Sequence, residues 1–151
     1  MAEGTADAIR HQLVTLPYYN VFDWLDGEVR PDGSVVLRGE VVEPSTRADA
    51  EWRVRKIEGV TNVTNEIKVL PPGSTDNTYR IALYRAIYRY NSPLFRYSTQ
   101  VVPPIHIVVD NGRVTLKGAV SSASDSQLAY TAARQVSGLF DVQNELQVVT
   151  E

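Results

Sequence analysis

The chain repeats itself. Val29–Val69 aligns with Val108–Val148 without a gap: Gly33 falls on Gly112, Gly39 on Gly118, Gly59 on Gly138, and Asn65-Glu66 on Asn144-Glu145. Self-similarity over such a span means duplication, so the fold is one small unit used twice. Each copy has about 70 residues, a size at which a lone core is marginal.

The shared positions read as mechanical parts. Asp32-Gly33 and Asn111-Gly112 predict two-residue hairpin turns, in which both central residues take positive φ. After each turn the apolar residues alternate. Val35, Leu37, Gly39 and Val41 share one phase in the first copy, and Val114, Leu116, Gly118 and Val120 share it in the second. That is the pattern of a strand covered on one side. A glycine on the covered phase predicts close approach by a helix or another backbone. A helix follows each strand, with Ser45 and Ser124 as expected N-caps and Ser124 with Gln127 as a capping box. Ala50, Val54 and Ile57 form its inner face in one copy, and Ala129, Ala133 and Val136 in the other. Gly59 and Gly138 are expected to stop these helices in the left-handed conformation.

The last strand places Val63, Ile67 and Val69 on one face, matched by Val142, Leu146 and Val148. Asn65 and Asn144 share that phase, as amides expected to satisfy nearby backbone. Upstream, Ile9 and Leu13 match Leu83 and Ile87 as an opening helix. The fold class is therefore α+β, with two tandem α-β-β-α-β modules. Each is a three-stranded sheet with two helices on one face. The modules are assigned to residues 5–70 and 78–150, joined by a Pro/Gly linker at 71–77. Within each, the second and third strands are expected to be parallel neighbours.

Composition narrows the function. A net charge of −3 argues against a general nucleic-acid binder. There is no cysteine, so no disulfide, thiol nucleophile or thiolate metal site is available. No apolar run approaches the roughly 20 residues of a membrane-spanning helix. The two histidines, His11 and His106, are not paired at metal-ligand spacing. His106 lies opposite in strand phase to Ile105 and Ile107, where a surface or hydrogen-bonded residue is expected. Phosphate loops and nucleophile elbows are absent. The recurrence of Glu66 as Glu145 points to a structural role. The chain is expected to be non-catalytic, with no cofactor and no metal.

The segments Val35-Val36-Leu37-Arg38-Gly39-Glu40-Val41, Gly59-Val60 and Val63-Thr64-Asn65 resemble the BON family, small domains of bacterial osmotic-shock and nodulation proteins. The second set is Asn111-Gly112-Arg113-Val114-Thr115-Leu116-Lys117-Gly118, Gly138-Leu139 and Val142-Gln143-Asn144. The resemblance covers nearly the whole chain, twice. It implies no shared catalytic residues, a place in the bacterial envelope, usually the periplasm, a link to osmotic or envelope stress, and binding to phospholipid surfaces. The start Met1-Ala-Glu-Gly-Thr-Ala lacks the basic and apolar stretches of a signal peptide, so periplasmic export would imply a leader already removed.

A duplication carries its own control, because the fold needs only what both copies keep. In the second opening helix, read as Thr78–Tyr90, Leu83, Ala86, Ile87 and Tyr90 form a core stripe. Ile81, Tyr84 and Tyr88 form a second stripe nearly opposite, flanked by Arg80, Arg85 and Arg89. The first copy has Asp7, Arg10 and Val14 in the stripe positions, so the fold does not require an aromatic, basic outer face. A helix apolar on two sides buries the second side against a partner. Three partners fit: the first module, another copy of the chain, or anionic phospholipid headgroups. At roughly 1 kcal/mol per basic residue near an anionic surface, four arginines (with Arg96) give about 4 kcal/mol before screening.

An insertion in the second copy, Asn91–Tyr97, carries Leu94, Phe95, Arg96 and Tyr97, whose apolar members need a surface to bury against. Trp52 projects from its helix away from Ala50 and is a further candidate contact. In the first copy, the run Pro17–Leu25 is expected to fill the end of its sheet.

Overall fold

A computed structural model describes residues 2–149, with the side chains of residues 4–149. The chain divides into two compact units. The first comprises Met1–Tyr19 and Asp23–Leu70, the second Asn20–Phe22 and Pro71–Glu151.

In the first unit, helix α1 (Ala2–Val14) precedes β1 (Trp24–Val29), β2 (Ser34–Val41), α2 (Pro44–Arg55), β3 (Asn62–Asn65) and β4 (Lys68–Val69). The second contains α3 (Ser74–Ile87), a 3-10 helix (Pro93–Thr99), β5 (Ile105–Asp110), β6 (Arg113–Val120), α4 (Ala123–Arg134), β7 (Asp141–Asn144) and β8 (Gln147–Val148). Strands β1 and β2 are antiparallel, and β3 and β4 both run parallel to β2. The second sheet repeats this with β5 to β8. The duplicated α+β module and its parallel neighbours are as the periodicity predicts.

The expected third strand is interrupted. Asn65 turns its side chain onto its own strand, its Oδ1 accepting the Ile67 N–H at 3.1 Å. Asn144 does the same to Leu146 at 3.1 Å. The Asn65 amide then donates to the Arg47 carbonyl, and the Asn144 amide to the Ser126 carbonyl and hydroxyl. Both amides do satisfy backbone, as expected, although Asn144 is exposed. Glu66 and Glu145 pair with the cations of the neighbouring strand, Arg38 and Lys117.

Glycine explains the hairpins. Asn111 (φ 52°) and Gly112 (φ 79°) form the predicted two-residue turn. The first hairpin differs. Gly33 alone takes positive φ, the Gly33 N–H bonds to the Arg30 carbonyl, and Arg30 and Ser34 still pair. Pro31 pre-sets the turn there and lengthens the loop to three residues. On β2 and β6, a methyl at Gly39 or Gly118 would overlap the carbonyl oxygen of Trp24 or Pro104. The close approach inferred from these glycines is thus to backbone of the neighbouring strand or its lead-in.

Helix starts also depart from expectation. The N-cap of α4 is Ser122, whose side chain accepts the Asp125 N–H, while α2 begins at Pro44 after Glu43, with no side-chain cap. Ser45 and Ser124 therefore lie inside their helices. Proline suits the first helical position because the missing N–H has no partner there anyway. Both helices end before Gly59 and Gly138, at Arg55 and Arg134; the glycines then turn the chain at φ 94°.

The second core gathers Leu83 and Ile87 of α3, Ile105, Ile107 and Val109 of β5, Val114, Leu116 and Val120 of β6, and Ala129 and Ala133 of α4. Strand β5 is covered on both faces, so His106 is buried rather than at the surface. Val21 joins this core, its carbonyl accepting the Ile107 N–H at 2.7 Å, and Phe22 packs beside it. Of the first copy's aromatic run, these two residues lie in the second unit. Tyr19 and Leu25 are buried in the first unit, whereas Tyr18 is exposed.

Candidate functional site

Helix α3 is tied to its unit at the N-terminal end. The Asp76 carboxylate accepts the N–H groups of Asn111 (2.8 Å) and Gly112 (2.9 Å), and the Tyr79 hydroxyl donates to the Gly138 carbonyl at 3.0 Å. These contacts set the rotation of the helix, and rotation decides which stripe residues reach solvent.

Two stripe candidates turn inward. Arg80 is buried; its guanidinium donates to the Asn77 side chain (2.8 Å) and the Val109 carbonyl (2.9 Å). Tyr88 is also buried, its hydroxyl donating to the Ile105 carbonyl at 2.8 Å and accepting the Ile105 N–H at 3.0 Å. Burial pushes the Tyr88 phenol pKa up, so it stays protonated. These two residues hold the unit together and are not part of an outer face. The reason is local. The helix ends at Ile87, and Tyr88 caps it at φ −97°, ψ 35°, so the 100° step assumed along Thr78–Tyr90 stops short of Tyr88. Tyr90, expected in the core stripe, is 85% exposed for the same reason.

Tyr84 is half-buried between Phe22, edge-on at 6.4 Å between ring centroids, and Tyr88 at 4.9 Å. The outer face keeps Ile81, 50% exposed, with exposed Arg85 one turn on; Arg89, also exposed, lies two residues beyond the end of the helix. Neither arginine has a hydrogen-bond or ion-pair partner among the described residues. In the first unit the equivalent face is self-paired, Arg10 lying 3.7 Å from Asp7.

The insertion is fastened down. Leu94 is fully buried in the second core. Tyr97 donates to the Asp125 carboxylate at 2.7 Å and accepts the Ser121 N–H at 3.1 Å, while Arg96 pairs with the same carboxylate. Burial alone would raise the Asp125 pKa, but the Tyr97 hydroxyl, Arg96 and Ser121 outweigh it and hold it below the ordinary carboxylate value. Leu94, Arg96 and Tyr97 therefore anchor the insertion. Phe95 stays exposed, edge-on to Tyr90 at 5.3 Å.

A shallow groove of about 300 Å³ runs between the end of α3, the start of the insertion and α4. Ala86, Pro93, Leu128 and Ala132 give it an apolar floor; Arg89 is its one charged lining residue. Leu128, absent from the sequence-derived candidates, adds a partly exposed apolar contact. In the first unit, Trp52 is 61% exposed with the Lys56 ammonium 4.3 Å over its ring.

Among the described residues no three His, Asp or Glu side chains gather as metal ligands. No helix is long and apolar enough to cross a membrane. Arg85 on α3 and Arg89 just beyond its end thus offer two cations without a partner among the described residues, Arg85 one turn from exposed Ile81, chemistry suited to adhesion to an anionic surface.

Comparison with known proteins agrees with the repeat. The BON domain model matches residues 23–71 and 99–150. No curated protein matches. Among the solved structures that align along the chain are two of CdsD, described as a structural protein of the type III secretion system of Chlamydia trachomatis. One, of its C-terminal domain, is 12% identical with a TM-score of 0.35 and covers 95% of this chain and 96% of that one. The other is also 12% identical with a TM-score of 0.35, covering 96% and 92%.

Proposed function

Because the chain belongs to the BON domain family, whose members are associated with phospholipid interaction and stress, we propose that it is a non-catalytic envelope protein that adheres to anionic phospholipid surfaces through the outer face of α3. The observation that carries this reading is a pair of exposed arginines with no partner among the described residues, Arg85 one turn from exposed Ile81 and Arg89 just beyond the end of α3. The family association also supports a periplasmic or otherwise exported location and a role in envelope integrity under stress.

Electrostatics sets the strength. With Arg80 buried and Arg96 engaged by Asp125, the four cations counted from sequence fall to two. At roughly 1 kcal/mol each this gives about 2 kcal/mol before screening. Such binding is weak and reversible for one molecule, and it gains strength when several copies engage one surface.

A second reading is a self-associating scaffold without lipid binding. It is favoured by the exposed apolar side chains in and flanking the short edge strands β7 and β8, Phe140 at 78%, Val148 at 44% and Val149 at 53%. An apolar sheet edge is a template for pairing with another chain.

Sedimentation with phosphatidylglycerol and phosphatidylcholine vesicles separates the two, alongside light scattering of the free protein. Adhesion predicts selective pelleting with the anionic vesicles, weakened by moderate salt. A mass above the monomer with no pelleting on either vesicle would favour the scaffold.

A further inference from the structure

The insertion holds Phe95 partly in solvent against Tyr90, the residue that precedes it, while the neighbours of Phe95 on both sides are pinned. Leu94 on one side of Phe95 is fully buried, and Ser92 Oγ accepts the Leu94 N–H at 3.2 Å. On the other side Arg96 and Tyr97 close on Asp125. Between these anchors Phe95 remains 38% exposed and supports Tyr90, 85% exposed, with ring planes at 68°. An exposed aromatic pair on a rigid loop is preorganised for contact, because its ordering cost is already met within the fold. Arg89, next to Tyr90 in the chain, is exposed and unpartnered. The first module lacks this insertion.

We propose that Tyr90 and Phe95 form a wedge that enters the headgroup–acyl boundary of an anionic bilayer. The inference rests on the phospholipid reading above and supplies its apolar half. Tyrosine suits that depth, with an apolar ring and a polar hydroxyl that stays hydrated. Phe95 supports it from the side and adds apolar area. Arg89 brings the wedge to a negative surface, and the rings provide a contact that salt does not screen.

The absence of cysteine permits a clean test. Phe95→Cys and Tyr90→Cys are each labelled with an environment-sensitive fluorophore, and Ser45→Cys on the first unit serves as control. On phosphatidylglycerol vesicles, the labels at 90 and 95 should brighten, shift to the blue and be quenched by lipids carrying a shallow spin label. The label at 45 should not respond. In unlabelled protein, Tyr90→Ser with Phe95→Ser should weaken vesicle affinity by on the order of tenfold, leaving its salt dependence unchanged. If the wild type pellets with vesicles but the labels at 90 and 95 stay silent, the wedge is refuted and adhesion through α3 stands. If the wild type does not pellet at all, both are refuted. A label response that follows protein concentration without vesicles would assign the rings to a second copy and overturn the wedge.

Discussion

Arg47 and Asn65 clasp each other across the first unit. The Arg47 guanidinium donates to the carbonyls of Ile67 (2.8 Å) and Asn65 (3.1 Å), and the Asn65 amide donates back to the Arg47 carbonyl at 3.1 Å. The side chain thereby closes the break between β3 and β4. In the second unit Ser126 holds the equivalent place and bonds only the Asn144 amide.

That difference makes a reciprocal prediction. Arg47→Ala should destabilise the first unit by about 1–3 kcal/mol, the range for losing charge-assisted bonds to backbone. Ser126→Arg should stabilise the second by roughly 1 kcal/mol, since the same carbonyls become available to a guanidinium. Hydrogen exchange resolved by residue reads each unit separately. Equal protection in Arg47→Ala and wild type would show that the clasp adds nothing.

Gly118→Ala should cost several kcal/mol. Its φ is 120°, a region costly to any residue with a side chain, and the added methyl would meet the Pro104 carbonyl. Gly73→Ala, where no atom lies within reach of a new methyl, is the matched control. Comparable melting temperatures for the two variants would contradict the packing at β6.

The Asp125 cluster predicts a pH dependence with a definite sign. A carboxylate whose folded pKa is depressed contributes stability above its unfolded value, and that contribution is lost as pH falls through the folded one. The ordinary value is 3.8 and the shift is downward. The anchor is therefore fully in force at neutral pH and weakens below about pH 4. The stability difference between wild type and Asp125→Asn should stay constant from about pH 7 to 5 and shrink below about 4. A difference that instead grew on acidification would contradict the arrangement.

The duplication, the strand phases and the parallel pairing were legible because each rests on positions that recur in both copies. What was not legible depends on where a helix stops and how far a long side chain reaches. Tyr88 and Tyr90 were misplaced because nothing in the run of residues marks Ile87 as the last helical one. Arg80 reads as an outer cation by angle, yet its length carries the guanidinium to Val109. The contacts of Arg96 and Tyr97 with Asp125 are not legible in the sequence, because Asp125 is distant along the chain and only folding brings it near. Ile81, Arg85 and Arg89 lie exposed and Trp52 projects outward, while Phe95, expected to need a surface to bury against, is 38% exposed within its unit.

The central claim is tested most directly by vesicle binding with charge-matched variants. Arg85→Gln with Arg89→Gln removes two exposed cations from α3 and the residues just beyond its end. Arg30→Gln with Arg113→Gln removes two exposed cations from the hairpins. Both pairs change the net charge equally, so any difference between them reports location. The account predicts that the α3 pair lowers affinity for phosphatidylglycerol vesicles by on the order of tenfold or more, with a shallower salt dependence, while the hairpin pair stays near wild type. Equal losses from the two pairs would reduce the interaction to net charge, and undiminished binding by the α3 pair would contradict the site.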